Sequence, residues 1–352
     1  MNKNSKLEKF VIFISITLIF ASNANANPVF SNLNYYPINV PSQIASVALG
    51  INRFGEVVGT VTSSAQVQTG GYQTDSFAWT SDGYTIFNKI NSTYSQANGV
   101  NDNGYIVGEY RDSTTTNISE NIYGDNIFHG FTIENGVFDT FDVPASARTG
   151  IQTINDLGII GGWYNDNLGN TFGFIDNNGV FRKFSYGNGE FTEITGINNH
   201  GDIVGFYYNN GSFSGFSIIN GVFEKIMVPG SYYTTVYGIN DNNQVVGDYF
   251  TGGSIRHGFV YTDNKYYKIE FPGHIDSTFA RGINDAGVIV GGYQNGSSAY
   301  GFVATNGTFD SISVEEPPIS ATLGLAAVVI AMLRRRRPPT RMGSVISNTI
   351  ST

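Results

Sequence analysis

The sequence predicts an all-β fold, a six-bladed β-propeller built from six four-stranded repeats. Three observations lead there. One short phrase returns six times at intervals of 49, 54, 43, 42 and 44 residues. Hairpin turns of Asn-Gly type or a variant of it recur within the copies. The composition, with 43 glycines and 14% aromatic residues, suits short strands and tight turns.

The phrase reads Ile51-Asn52-Arg53-Phe54-Gly55, Val100-Asn101-Asp102-Asn103-Gly104 and Ile154-Asn155-Asp156-Leu157-Gly158. It continues as Ile197-Asn198-Asn199-His200-Gly201, Ile239-Asn240-Asp241-Asn242-Asn243 and Ile283-Asn284-Asp285-Ala286-Gly287. The run entering it is the first strand of each unit. The second strand follows, as in Tyr105-Ile106-Val107-Gly108-Glu109-Tyr110, apolar on both faces and so packed on both sides. The third carries Phe77-Ala78-Trp79, His129-Gly130-Phe131, Phe172-Gly173-Phe174, Ser214-Gly215-Phe216, His257-Gly258-Phe259 or Tyr300-Gly301-Phe302. A hairpin turn then leads into the fourth: Asn135-Gly136, Asn178-Gly179, Asn220-Gly221 and Asn306-Gly307, with Asp82-Gly83 and Asp263-Asn264 as variants. Both turn residues need positive φ. Where glycine is lost, Asn243 and Asn264 replace it, because asparagine tolerates that region best. The recurrent Asn and Gly are therefore read as backbone requirements of turns. The fourth strand stops at Pro144, Pro229 or Pro272, since proline cannot donate to a ladder. Seven copies of this last strand occur for six of the others, counting Asn34–Pro41 and Thr308–Val314. The N-terminal copy can complete the sixth sheet and leave one spare.

The ends of the chain have other compositions. Residues 1–26 read as a signal peptide: Lys3, Lys6 and Lys9, an apolar run over Phe10–Ala21, then Ala24, Ala26 and Asn27 around the cleavage point. The propeller occupies 27–314. A sorting and anchor segment follows at 315–337, and a disordered tail at 338–352. Ile319–Leu333 is fifteen residues without a charge, ending in Arg334, Arg335, Arg336 and Arg337, a stop-transfer pattern too short for a comfortable span.

The segment Val314–Arg337, with Val314, Glu316 and Pro317 in place, resembles the PEP-CTERM sorting tail of Gram-negative bacteria. That resemblance implies an exosortase-like processing partner. It also implies a transient inner-membrane contact, and a final place in the medium or on the cell surface. The repeats over Ile44–Val314, with His129-Gly130-Phe131 and His257-Gly258-Phe259 joined to the Ile-Asn-Asp phrase, resemble the HAF family of extracellular repeats. That family carries no established activity over.

Between Asn27 and Val314 there are 25 acidic and 11 basic residues, which argues against a nucleic-acid partner. Cysteine is absent, so the core alone must stabilise the fold. Nothing spaces His129, His200, His257 and His274 for a metal, and no cofactor is expected. Weak calcium binding stays open at Asn165–Asn170 and Asp176–Gly179, whose Asn and Asp otherwise bond their own turns. The tyrosines Tyr110, Tyr164, Tyr207, Tyr249 and Tyr293 are read mainly as packing. The insertion Arg111–Phe128 offers Asp112, Glu120 and Asp125 without an acid–base partner pattern. The expectation is a monomeric scaffold, not an enzyme, that binds matrix polysaccharide or another surface protein. The alternative is a secreted glycan hydrolase or lyase with its active site on loops at one end of the ring. Carboxylates clustered in the central channel would favour that alternative.

Overall fold

The computed structural model describes residues 33–306, apart from positions 39, 41, 67–71, 81–82, 90–91, 112–126, 188, 190, 254 and 274–275. The cleavage residues Ala24, Ala26 and Asn27 lie outside the described residues. So do Val314, Glu316 and Pro317, the arginines Arg334 to Arg337, and the acids Asp112, Glu120 and Asp125. The membrane-anchored stage and transmembrane helix expected from the tail rest on residues outside the described range and are not carried further. Among the described residues no helix is long and apolar enough to cross a membrane.

Twenty-four strands form six antiparallel four-stranded blades around an axis. The inner strands are β2 (Gln43–Ile51), β6 (Tyr94–Val100), β10 (Arg148–Ile154), β14 (Thr192–Ile197), β18 (Tyr233–Ile239) and β22 (Thr278–Ile283). Next outward come β3 (Val57–Gln66), β7 (Ile106–Arg111), β11 (Ile160–Asn165), β15 (Ile203–Asn209), β19 (Val245–Phe250) and β23 (Ile289–Asn295). The third layer is β4 (Tyr72–Thr80), β8 (Phe128–Glu134), β12 (Thr171–Asn177), β16 (Ser212–Ile219), β20 (Arg256–Thr262) and β24 (Ser298–Thr305). The outer strands are β5 (Gly83–Phe87), β9 (Val137–Phe141), β13 (Val180–Phe184), β17 (Val222–Ile226) and β21 (Lys265–Ile269). The sixth outer place is taken by β1 (Asn34–Ile38), which pairs with β24 from Asn34↔Thr305 to Ile38↔Gly301. The N-terminal copy of the last strand therefore closes the ring.

One phenylalanine from each third strand fills the space between blades. Phe77, Phe131, Phe174, Phe216, Phe259 and Phe302 are all fully buried. The glycine of the second strand is needed beneath this ring. A Cβ on Gly108 would stand 2.0 Å from the Gln96 carbonyl oxygen and 2.7 Å from the Phe131 ring. Opposite it, every inner strand carries a bulge at one register position, for example between Ala97 and Gly99. That glycine serves close approach, whereas those after the repeated asparagine serve the turn. Asn243 adopts φ 58° and Asn264 φ 58°, as the sequence implied. Ring closure adds its own contacts: Tyr35 meets Phe271 and Phe302 edge-on at 5.6 and 5.5 Å. Tyr35→Ala is expected to cost on the order of 2 kcal/mol in a chemical denaturation experiment, because it cuts the latch packing. An unchanged midpoint would show that β1 does not hold the ring.

The repeated asparagine does more than shape a turn. Each side-chain oxygen accepts two backbone N–H groups of its own turn; for Asn155 these are Leu157 at 3.1 Å and Ile159 at 3.0 Å. Each side-chain nitrogen donates to the backbone oxygen of the corresponding asparagine in the next blade: Asn52 to Asn101, Asn101 to Asn155, Asn155 to Asn198, Asn198 to Asn240, and Asn240 to Asn284. Asn284 donates to Asn52 at 3.1 Å and completes the circle. The reading of these asparagines as turn requirements alone is thus corrected. They clasp all six blades together and close one end of the channel.

Candidate functional site

At the channel's other, open end the residue three before the repeated asparagine lines a cavity in every blade, joined in some blades by the residue five before it or the one after the second-strand glycine. The frame around them recurs; these positions do not. The residue three before the asparagine is Leu49, Asn98, Gln152, Thr195, Tyr237 or Arg281. All six line a cavity of about 330 Å³, together with Val47, Thr60, Gln96 and Phe279. Beyond it toward the closed end the channel offers only about 90 Å³. There the inner backbones approach so closely that a Cβ on Gly50 would lie 2.7 Å from the Asn98 carbonyl oxygen. The cavity is a blind pocket.

Two glutamates and an arginine give this end its chemistry. Glu109, on β7, is 7% exposed and reaches into a gap in the third blade's inner strand. The gap is Gly150, where a Cβ would meet Glu109 Oε2 at 2.3 Å and Trp163 Nε1 at 2.5 Å. Gln152 Nε2 donates to Glu109 Oε2 at 3.3 Å. Burial pushes the Glu109 carboxyl up to about 7, against the lowering pull of the Trp163 N–H, the Arg148 charge and the Tyr94 hydroxyl. Glu193, on β14, stands partly exposed, and no described residue hydrogen-bonds its carboxyl. Desolvation by the surrounding walls, then the Glu109 charge, push it up to about 8, with Arg281 offsetting only part.

Arg281 extends from β22 with its guanidinium 3.6 Å from the centre of the Tyr237 ring. Its carboxylate partner is Asp248, fully buried, with Oδ2 at 3.4 Å and Oδ1 accepting from Thr235 at 2.7 Å. Aromatic rings continue along the rim: Phe206 lies 5.8 Å from Tyr237, and Phe128 lies 6.3 Å from Trp163.

The proton on Glu109 links the site to stability. Its folded-state value of about 7 lies above the ordinary 4.5, so the folded chain holds a proton that the unfolded chain releases between those values. This stabilisation is complete below pH 4.5 and lost as pH rises through 7. Glu109→Gln should therefore gain stability relative to the parent by about 3 kcal/mol between pH 4 and pH 9, measured by denaturant unfolding at both. A pH-independent difference would contradict the buried proton.

The residues singled out in the sequence lie elsewhere. His129 Nδ1 meets Asp142 Oδ2 at 2.8 Å and His257 Nδ1 meets Glu270 Oε1 at 2.9 Å, at the blade edges. His200 sits in an exposed turn, and His274 is outside the described residues. No group of three or more His, Cys, Asp or Glu side chains is placed to hold a metal among the described residues. Asp166 accepts the N–H groups of Leu168 and Asn170, so the first calcium-like loop is tied to its own backbone. Of the repeated tyrosines, Tyr110, Tyr207 and Tyr293 are buried between blades. Sequence reasoning missed Glu109, Glu193, Asp248 and Arg281. The signal that could have found them was variation inside a constant frame.

No family model matches the chain, so the likeness to HAF repeats and to PEP-CTERM tails gains no support there. No curated protein matches it either. Several solved structures are similar in fold. A virginiamycin B lyase from Staphylococcus aureus, with quinupristin, is 13% identical over 77% of this chain and 99% of its own, with a TM-score of 0.43. A sialidase from Trypanosoma rangeli is 10% identical over 77% of this chain and 57% of its own, also at 0.43. A gluconolactonase from Xanthomonas campestris is 9% identical over 80% of this chain and 97% of its own, again at 0.43. Several of these similar propellers are named as enzymes, and the expectation of a non-enzymatic scaffold is set aside; the likeness itself shows the fold alone. The site is also on strands of the channel rather than on loops.

Proposed function

We propose that the chain is a glycan-cleaving enzyme, hydrolase or lyase, whose reaction takes place in the blind pocket at the open end of the channel. The observation that carries this reading is a pair of carboxyls beside the pocket: Glu109, which accepts from the pocket-lining Gln152, and Glu193, two residues before the pocket-lining Thr195 on β14, pushed up to about 7 and about 8. Cleaving a glycosidic bond requires a proton on the leaving oxygen, and a carboxyl titrating near 8 still carries one at pH 7. Glu193, partly exposed and without a described hydrogen-bond partner, is the group that delivers it. Glu109 is a positioning residue: as it ionises above about pH 7, its charge adds to the desolvation that keeps the proton on Glu193. Amide and hydroxyl groups of Gln96, Asn98, Gln152 and Thr195 suit sugar hydroxyls, and the faces of Tyr237 and Phe279 suit the apolar side of a sugar ring.

The test is release of new reducing ends from a panel of neutral and acidic polysaccharides, comparing the full chain with Glu193→Gln. Release by the parent that disappears in the variant is the expected result. A parent that cleaves no member of the panel would overturn the reading.

A further inference from the structure

We propose that the group recognised in the pocket is a carboxylate, received by Arg281, so that the ligand is a sugar acid of the hexuronate class. The inference rests on the pocket being the reacting site and adds what that site selects. A guanidinium carries five N–H donors in a fixed fork. Asp248 approaches Arg281 at 3.4 Å, longer than the ~2.7–2.9 Å of a well-formed charge-assisted bond, and offers one oxygen only. Its other oxygen is engaged by Thr235. The Tyr237 ring covers one face of the guanidinium and its hydroxyl takes part of the edge. The arginine is nonetheless 18% exposed, and it lines the cavity of about 330 Å³.

The neighbours leave this charge available. Gln96, Asn98, Gln152 and Thr195 around the same cavity are neutral. Glu193, whose carboxyl interacts with the Arg281 charge, is pushed up to about 8 and so carries a proton, not a repelling charge, when an anion enters at pH 6.5. A lone cationic fork thus opens into a pocket of otherwise neutral polar groups, inside a body with 25 acidic and 11 basic residues. That arrangement selects an anion of carboxylate shape on a polar, ring-shaped ligand. Tyr237 and Phe279, flanking the guanidinium at 3.6 and 5.5 Å, give the ring a surface to lie on. The volume fits about one or two sugar units, and the closed collar below stops a longer chain from threading through.

The test is isothermal titration calorimetry of the full chain at pH 6.5 with D-glucuronate and, separately, D-glucose. Glucuronate is expected to bind at least tenfold more tightly than glucose, and Arg281→Gln is expected to remove that preference. Because this variant leaves Asp248 buried without its cation, Arg281→Gln combined with Asp248→Asn serves as the balanced partner, its folding checked by circular dichroism. The combined variant should also lose the preference. Equal affinity for the two sugars overturns the proposal, as does absence of saturable glucuronate binding, or a preference that survives in the folded double variant. Cleavage of neutral polymers without uronate selectivity would leave the enzyme reading standing and sink this one. Selective uronate binding without any cleavage would do the reverse.

Discussion

Replacing Asn155 by alanine is expected to destabilise the chain by roughly 3 kcal/mol or more. The side chain is 4% exposed and makes three bonds: it accepts from Leu157 and Ile159, and donates to Asn198 of the next blade at 3.0 Å. Truncation strands two donors and one acceptor in a region that water cannot readily reach. Asn155→Asp separates the two roles of the residue. Aspartate keeps the oxygen that the turn needs but loses the donor to the neighbouring blade, and sets a charge against a carbonyl. It should cost about 2 kcal/mol, where a pure turn requirement would make it nearly neutral. Asn178→Gly, at a hairpin with φ 51°, should stay within about 0.5 kcal/mol of the parent, since glycine accepts that conformation. Guanidinium denaturation of the full chain ranks all three. An Asn155→Asp variant as stable as Asn178→Gly would dissolve the clasp.

The second large effect is catalytic. Glu193→Gln should lower kcat by about 10²- to 10⁴-fold on a cleaved glycan while moving KM little, because it removes a proton donor used in the transition state. In the parent, activity should fall as pH rises through about 8, when Glu193 loses its proton. The direction of that limb is a finer test than the loss itself. Glu109 raises the Glu193 value, so Glu109→Gln should move the limb to lower pH while keeping measurable turnover. Arg281 lowers it, so Arg281→Gln should move the limb upward. A residue that merely held the blade in shape would reduce kcat at every pH and leave the limb where it was.

The fold was legible because it is written in what recurs. Asn135-Gly136, Asn178-Gly179 and Asn220-Gly221 announced their turns, and Phe131, Phe174 and Phe216 recurred because each fills one gap between twisted sheets. The asparagine of the phrase was recognised, but only half understood. A sequence shows that Asn155 precedes a turn by the right spacing. It does not show that a carbonyl 43 residues away lies across an interface. The pocket was illegible for the opposite reason. Glu109 was the variable residue of a Gly-x-Tyr strand, and Glu193 and Arg281 sat in runs that differ from copy to copy. Comparing repeats discards such positions as noise. Their meaning depends on all six inner strands pointing the same register at one axis, which no single copy contains. Gly150 belongs to this group too: it reads as one more glycine, yet its missing Cβ is the opening through which Glu109 enters the channel wall.

The latch between β1 and β24 has a consequence for how the chain reaches this state. Asn34 pairs with Thr305, so the sixth blade brings together the beginning and end of the described residues. A chain made from its N-terminus forward holds an unmatched strand from the start, and can build five blades from local hairpins before that strand finds its partner. Closing so long a loop adds little free-energy cost, since the penalty grows by only about 0.6 kcal/mol for each doubling of length. It is the timing that suffers, because contacts between distant segments form late and slowly. Until then the free edges of β24 and β1 offer themselves to any neighbour, and the blind pocket lacks the blade that carries Arg281 in its final place. Assembly of the ring and assembly of the site are therefore the same last event.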